Sequence, residues 1–474
     1  MRNNNAKSGI ITILPDGRGI INSTNDKFEK VFVSKVHLNG AFDQDEVKYT
    51  VQRSYHSSFK KAKIIQILKR KKNTFTGRVY NEGKNIFIIV SPNQSKNIKL
   101  IKYSRPITDF TVVKIDIVDW NERGPFAHGE INEVIAQPND PLADHLYVVN
   151  KYVINGLLKV DSGFENFDLD GFISDQKDRI DYSLLNTFSI DPDDAQDFDD
   201  AISIKFQKDI YELIIHIADV TAFVDEGSSI DHVALQNSNS YYFPEKSYHM
   251  LPYELATKYC SLVPNEKRLA VSLYFELTSD GDVVSQQAHL STIKNKNRMT
   301  YGQVNRLLSK SENIQKHEDI FLLYEIHKKL KSKRLKEGAL NLSGGESTFE
   351  FDHQGSPLKI IDKKQSVSHS MVEECMLLAN KYAATLLSSK SLPIFRNHDM
   401  PSRRAFLKIE SLISAFSDKP KNFNDFIGSI RSTKKRGVFS KLILKNLKRA
   451  EYSLTNKGHY GLSFDTYIHF TSPI

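Results

Sequence analysis

Between Asp191 and Asp200, six of ten residues are aspartate and none is lysine or arginine, in a 474-residue chain of formal net charge +8. Carboxylates this close repel and raise one another's pKa unless cations neutralise them. A hard divalent cation that prefers oxygen ligands, such as Mg²⁺, is the natural partner. The flanks favour a folded site. Ile202 and Ile204 alternate with polar residues, as in a half-buried strand, and Leu213-Ile214-Ile215-His216-Ile217-Ala218 reads as a more buried one. The run is therefore expected as a loop set into a sheet. A solvated acidic loop is the competing reading of any charge run, but such loops rarely lie directly against buried strands.

Other chemistries find less support. No HExxH, CxxC or Walker pattern occurs, which tells against zinc-hydrolase and NTPase mechanisms. His216 and Asp219 read as a satisfied polar pair within the sheet rather than a metal pair, and His459 and His469 are similar. Cys260 and Cys375 are far apart in predicted core segments, so they read as buried thiols without a disulfide framework.

The elements that must position the loop follow from patterning. Two to four domains are expected from the length. Residues 8 to about 70 hold about five short strands with turn residues between them, which suggests a small Greek-key barrel of OB type. A second strand set, from Thr74 to about residue 140, fits another barrel, with Trp120 packed inside it. Residues 141–186 are a mixed connection: Leu142 to Leu158 is partly helical and Asp168-Leu169-Asp170-Gly171 is a turn. From Asp181 the chain reads as α+β, with a strand over Leu269–Leu277 and helices over Glu318–Lys336, Ser370–Leu387 and Phe439–Leu447. The helix over Ser370–Leu387 carries an apolar stripe through Val372, Met376, Ala379 and Ala383.

The positive net charge suits a polyanionic partner. From Lys48 to Asn81 there are ten Lys or Arg residues and no Asp or Glu, interleaved with Tyr49, Tyr55, Phe59, Phe75 and Tyr80. Such a stretch is either a basic groove with aromatic platforms for single-stranded RNA or a basic linker whose aromatics serve the cores. The start, Met1-Arg2-Asn3-Asn4-Asn5-Ala6-Lys7, lacks a signal-peptide core, and no apolar run is long enough to span a membrane. A cytoplasmic, monomeric protein without a membrane partner is expected.

The block Ile190-Asp191 … Asp197-Phe198-Asp199-Asp200-Ala201 resembles the signature loop of the ribonuclease II/ribonuclease R (RNB) exoribonuclease family, most closely its bacterial ribonuclease R branch. His216-Ile217-Ala218-Asp219-Val220, Tyr242-Phe243-Pro244, Met250-Leu251-Pro252, Cys260-Ser261-Leu262, Met299-Thr300-Tyr301, Glu373-Glu374-Cys375-Met376-Leu377-Leu378-Ala379-Asn380, Gly458-His459-Tyr460-Gly461-Leu462 and His469-Phe470-Thr471-Ser472-Pro473-Ile474 follow in family order. The resemblance implies an α+β multidomain protein. Two N-terminal OB-type (cold-shock-like) β-barrels, residues 1–72 and 73–140, and a connection, 141–180, precede an α+β RNB catalytic domain over 181–474, incomplete at its C-terminus.

The resemblance also implies a 3′→5′ hydrolytic exoribonuclease that degrades single-stranded RNA processively to nucleoside 5′-monophosphates. Asp191, Asp197, Asp199 and Asp200 match the four acidic positions that hold Mg²⁺ and position the attacking water, with Asp199 and Asp200 as catalytic residues. Tyr242 and Tyr301 match tyrosines that line the channel near the RNA 3′ end, and Glu374 a glutamate near the terminal nucleotide. Without the match, the tyrosines read as core aromatics and Glu374 as a solvated helix residue. Lys60, Lys61 and Lys63 are the RNA-binding candidates in the basic stretch. The alternatives are a non-catalytic RNA-binding protein and, less favoured, a metal-dependent hydrolase of a small phosphate ester.

Three departures bear on these expectations. Arg18-Gly19-Ile20-Ile21 stand where the family has an aromatic pair, which removes the face that base stacking needs. Leu342 stands where family members carry a phenylalanine that sandwiches the terminal base. The family's Thr-Ser-Pro-Ile motif continues into two arginines, a tyrosine, further helices and a third barrel, and one of those arginines contacts the scissile phosphate. The expectation is that residues 1–474 alone bind RNA but degrade it slowly or not at all.

Overall fold

The structure is a computed structural model of the chain and describes residues 6–24, 30–52, 60–91, 94–103, 106–121, 124–152, 163–164, 167–310, 314–340, 346–353, 356–363, 365–390, 393–414 and 436–474. Two compact units are present, Met1–Leu157 with Glu350–Lys359, and Leu158–Phe349 with Ile360–Ile474. Among the described residues, no helix is long and apolar enough to cross a membrane.

In the first unit, β1 (Ala6–Ile13), β2 (Gly19–Ser23), β3 (Lys30–Val33), β4 (Glu46–Gln52) and β5 (Lys61–Lys69) close into a barrel in the order β1-β2-β3-β5-β4. Alternation along these strands points Ile11, Ile21, Val31, Val47, Tyr49 and Ile64 inward, each fully buried. β1 pairs with both β2 and β4 at Gly9. A Cβ there would lie 2.5 Å from the Asn22 carbonyl oxygen, so only glycine allows this crossing. A second closed barrel follows, from β6 (Thr74–Glu82), β7 (Asn85–Ile89), β8 (Asn97–Lys102), β9 (Val112–Asp119) and β10 (Phe126–Ala136), in the order β10-β8-β7-β6-β9. Strand β8 is absent from the sequence reading, because Asn97-Ile98-Lys99-Leu100 is short and framed by polar residues.

Trp120 packs against the second barrel's core, as expected. It also meets Phe42 edge-on, at 5.2 Å between ring centroids. The Arg70 guanidinium lies 3.7 Å over the Trp120 ring and donates to Asp45 Oδ2 at 2.6 Å. This cation–π and ion-pair clamp lies where the two barrels follow one another in the chain. Tyr49 and Phe75 are buried core residues and not stacking platforms, while Tyr80 is exposed. Tyr55 and Phe59 lie outside the described residues.

The second unit is built on a six-stranded sheet in the order β11 (Ile180–Asp181), β18 (Val283–Thr300), β12 (Thr187–Asp191), β13 (Asp200–Gln207), β14 (Ile210–Ala218) and β17 (Lys267–Thr278). Between β14 and β17 the short strands β15 (Tyr241–Tyr242) and β16 (Ser247–Tyr248) form a separate pair. β18 pairs with β17 along its first part and with β12 along its last. Helix α1 (Ala143–Lys151) belongs to the first unit, and α2 (Leu169–Ser174), α3 (Ser229–Asn237), α4 (Tyr301–Lys310), α5 (Glu318–Lys336) and α6 (Val367–Ser388) belong to this one. Val304, Ile320, Leu323, Ile326, Met371 and Cys375 from the last three enclose Ile190, Ile202, Leu213, Ile215 and Phe275 of the sheet. Each such buried aliphatic or aromatic side chain is worth roughly 1.5–3 kcal/mol relative to exposure.

A second core, with Phe198, Ala201, Ala218, Leu251, Leu255, Leu262 and Ile293, holds further apolar side chains of the sheet. Ala201, Ile202, Ser203 and Ile204 are consequently all buried, and β13 does not show the expected half-exposed alternation. The Asp168–Gly171 segment is also not a plain turn. The Asp168 carboxylate accepts from the Gly171 N–H and caps a helix over Leu169–Ser174.

Candidate active site

Asp191 is the last residue of β12 and Asp200 the first of β13, so the acidic run is the connection between two adjacent strands of the sheet. Ser261, fully buried, staples this connection: its Oγ accepts from Phe198 N at 2.9 Å and donates to Gln196 O at 2.8 Å. Leu262 N donates to Phe198 O, and Ala218 N donates to Asp199 O at 2.8 Å. Asn295 on β18 donates through Nδ2 to Leu262 O at 2.9 Å and to Ser189 Oγ at 3.2 Å. Ser189 Oγ in turn donates to Asp191 Oδ2 at 2.7 Å. The Cys260-Ser261-Leu262 block thus acts on the loop through hydrogen bonds, while the Cys260 thiol is buried.

The four matched carboxylates feel one another's charge. Burial pushes Asp191 up to about 6, against the opposing pull of the Ser189 hydroxyl and the Arg298 guanidinium, and Asp197 adds repulsion. Asp199 is pushed up to about 7 by burial and by Asp197 and Asp191, although the Ile474 N–H donates to its Oδ1 at 2.9 Å. Asp200 is also raised well above the ordinary carboxylate range, by burial and then by Asp191 and Asp199. Asp193 and Asp194 are exposed.

The expected tyrosines reach this cluster. The Tyr242 hydroxyl donates to Asp197 Oδ2 at 2.5 Å, and its ring is 62% exposed, open to a ligand. Tyr301 opens α4, stacks on His369 at 3.7 Å between centroids, and has its hydroxyl pKa raised by burial and by Asp200 and Asp191. Glu374 is placed differently. It is a buried residue of α6, bound by Arg334 of α5, and no direct contact joins it to the acidic loop among the described residues. Lys60, Lys61 and Lys63 are exposed residues of the first barrel, in the other unit. Leu342 lies outside the described residues.

His216 and Asp219 do not pair with each other. The His216 ring nitrogens contact Ser203 Oγ and Ser272 Oγ, and burial lowers its pKa to about 3. Asp219 accepts from Arg179 at 2.6 Å.

Several residues of the site were not singled out from sequence. Arg298, at the end of β18, donates through Nη2 to the carbonyls of Pro192 and Asp193, which places the nearest guanidinium against the loop. Its position directly before Met299-Thr300-Tyr301 was the available signal. His249 packs edge-on against Tyr242 and Tyr253. Its buried Nδ1 has no hydrogen-bond partner and lies 4.0 Å from Asp197 Oδ2. Asn380 on α6 accepts from Phe470 N and Thr471 N, and so ties the His469–Ile474 segment, and with it the Ile474 N–H, to the site.

Among the described residues, no three His, Cys, Asp or Glu side chains form a closed metal cage as they stand. Asp191, Asp197 and Asp199 are each engaged by a protein donor. The donor chemistry nevertheless fits Mg²⁺. The cluster offers hard carboxylate oxygens, burial makes their charges costly without a cation, and the orphaned His249 nitrogen marks an unfilled polar position beside Asp197.

Fold and site define a multidomain α+β protein with two five-stranded barrels and a buried acidic loop set between sheet strands. Residues 179–474 match the RNB domain, and the chain belongs to the RNB family. It is 28% identical over 486 residues to ribonuclease R of Aquifex aeolicus, covering 98% of this chain and 68% of that protein. It is 30% identical over 480 residues to ribonuclease R of Chlamydia pneumoniae, covering 94% and 69%. Its structure is similar to Mycoplasma genitalium RNase R in complex with ribose-methylated single-stranded RNA, with TM-score 0.84, 24% identity, and 98% and 77% of the chains covered. It is also similar to yeast Ssd1, a pseudonuclease, with TM-score 0.72, 18% identity, and 99% and 67% covered. These structural likenesses speak to the fold.

Proposed function

We propose that this protein is a 3′→5′ hydrolytic exoribonuclease, releasing nucleoside 5′-monophosphates processively from single-stranded RNA. The observation that carries the proposal is the presence of Asp191, Asp197, Asp199 and Asp200 on one loop, with Tyr242 and Tyr301 beside it. Bound Mg²⁺ would supply phosphate neutralisation and an activated water. The four carboxylates are the residues that would hold it. Tyr242 fixes Asp197 by its hydroxyl and offers an exposed ring to the RNA end. Tyr301 stays protonated and can donate a hydrogen bond. Arg298 holds the loop backbone in place and offsets part of its negative charge.

The two barrels are read as OB-type, cold-shock-like modules that deliver single-stranded RNA, with residues 1–72 and 73–140 as their extents. Their order of strands supports this, as does the RNA in the Mycoplasma complex. A non-catalytic RNA-binding role is the second reading, since the fold is shared with a pseudonuclease. The complete set of four acidic positions favours turnover. The experiment is release of mononucleotides from 3′-labelled single-stranded RNA with Mg²⁺ and with EDTA. Mg²⁺-dependent release, slow from residues 1–474 and faster with the family's C-terminal segment joined to them, supports the exoribonuclease; tight RNA binding with no release from either supports the binding protein.

A further inference from the structure

In the same unit as the acidic loop, and joined to it through Arg298, lies a cavity of about 500 Å³, between α4, the start of α5, the start of β12 and the end of β18. We propose that it binds a phosphate monoester, with a nucleoside 5′-monophosphate as its ligand. The identity of that ligand rests on the exoribonuclease reading, because a mononucleotide is the product that reading requires.

The cavity lies in the size range of sites that bind one small molecule. Its lining carries two guanidiniums, Arg298 and Arg306, against one carboxylate, Asp319. Arg298 is held by the Pro192 and Asp193 carbonyls, and its Nε has no hydrogen-bond partner. Arg306, exposed on α4, lines the cavity and forms no ion pair with a carboxylate among the described residues. Two guanidiniums on one cavity, neither in an ion pair with a carboxylate among the described residues, favour a phosphate group, and a terminal phosphate monoester presents more charge to them than a chain phosphodiester does.

The rest of the lining suits a nucleoside. Asp319 lines the cavity and its carboxylate accepts from Asn186 Nδ2. A fixed carboxylate is out of place in a site for bare phosphate, yet it is the acceptor that a ribose hydroxyl needs. Met299 and Leu307, both half-buried, supply apolar surface for a base. Arg298 lines the cavity and also holds the loop, so a ligand bound there sits one side chain away from the catalytic carboxylates.

Equilibrium binding tests this without relying on turnover. Isothermal titration of the intact protein with AMP is done in EDTA, with inorganic phosphate and adenosine as separate arms. AMP is expected to bind in EDTA, with phosphate weaker and adenosine weaker still. Arg306→Ala, an exposed helix substitution that leaves the core intact, should weaken AMP by about tenfold or more. Asp319→Asn should weaken AMP and leave phosphate unchanged. Absence of AMP binding up to about 5 mM overturns the proposal. So does binding that needs Mg²⁺ and is lost in Asp199→Asn, which would place the ligand at the acidic loop. Equal affinity in wild type and Arg306→Ala overturns it, as does displacement of AMP by single-stranded RNA lacking a terminal phosphate. Failure of Mg²⁺-dependent release in the unmodified protein counts against the exoribonuclease reading alone and leaves the binding result as measured.

Discussion

Arg334 and Glu374 form a two-pronged ion pair between α5 and α6, Nε to Oε2 at 3.1 Å and Nη2 to Oε1 at 2.5 Å, with side chains only 9% and 3% exposed. The pair gives Glu374 a structural partner that its sequence position did not disclose. Breaking a buried pair costs up to about 3–5 kcal/mol, here with Arg334 left to the more exposed Glu373 at 4.0 Å. Glu374→Ala should therefore lower the free energy of unfolding by that amount. The double variant Arg334→Met/Glu374→Leu should recover most of it, because no buried charge remains. Urea denaturation of the three proteins checks this. A loss below about 1 kcal/mol in Glu374→Ala would show the pair to be dispensable.

The second prediction concerns Asp199, raised to about 7 at the centre of the acidic loop. Asp199→Asn keeps the side-chain oxygen that accepts from the Ile474 N–H but removes a charge needed to hold a divalent cation. In a protein carrying the family's C-terminal segment, mononucleotide release from single-stranded RNA should fall by about 10²-fold or more. RNA affinity, which rests on other surfaces, should change by less than about threefold. Retained turnover in Asp199→Asn would remove this loop from the chemistry.

The third prediction follows from the direction of the carboxylate shifts. Asp191 at about 6 and Asp199 at about 7 stand above the ordinary carboxylate value of 3.8. The folded state binds these protons more tightly than the unfolded chain. Their stabilising contribution is complete below 3.8 and is lost as pH rises through 6 and 7. His216 acts oppositely: its folded value near 3 lies below 6.5, so its contribution is complete above 6.5 and lost on acidification. From pH 6.5 to about 8 the carboxylates therefore dominate between these two effects. In EDTA, Tm should fall across that range, and Asp199→Asn should flatten the fall. Saturating Mg²⁺ should raise Tm more at the upper end than at the lower, since metal replaces protons on the same oxygens. A Tm independent of pH in EDTA would contradict the buried placement of these groups.

How far the sequence discloses this molecule varies with the kind of signal. Asp191 and Asp200 could be placed at a loop in a sheet because the flanking apolar runs were long. The helix over Glu318–Lys336 was readable to the residue from its apolar spacing. β18 was not readable. Its run Ser285-Gln286-Gln287 and Lys294-Asn295-Lys296-Asn297 is too polar to show strand periodicity, and the partner β17 imposes its conformation. Tyr49 and Phe75 looked like binding aromatics by sequence company, yet barrel closure turns them inward. Asn295 and Arg334 act through tertiary hydrogen bonds between residues distant in the chain, and no local pattern marks such partners, whereas Ser261 and Arg298 lie in or beside blocks that the sequence does mark.

The last prediction concerns the first barrel. Lys61 and Lys63 alternate with the buried Ala62 and Ile64 on β5, and Lys60 precedes them, so all three are exposed. Alternation puts Lys61 and Lys63 on one face of the strand, where a phosphate backbone can run along it. If they contact phosphates, each releases counterions on binding, and the log–log salt slope for single-stranded nucleic acid changes by about 0.7 per contact. Replacing Lys60, Lys61 and Lys63 together by Gln should therefore weaken binding evenly across RNA sequences and flatten the slope by up to about 2. Folding should be unaffected, since none of the three side chains enters the barrel core. Fluorescence anisotropy with uridine-rich and adenosine-rich oligonucleotides over a range of KCl concentrations measures both quantities. An unchanged slope with unchanged affinity would return this stretch to a solvated barrel surface that the RNA does not touch.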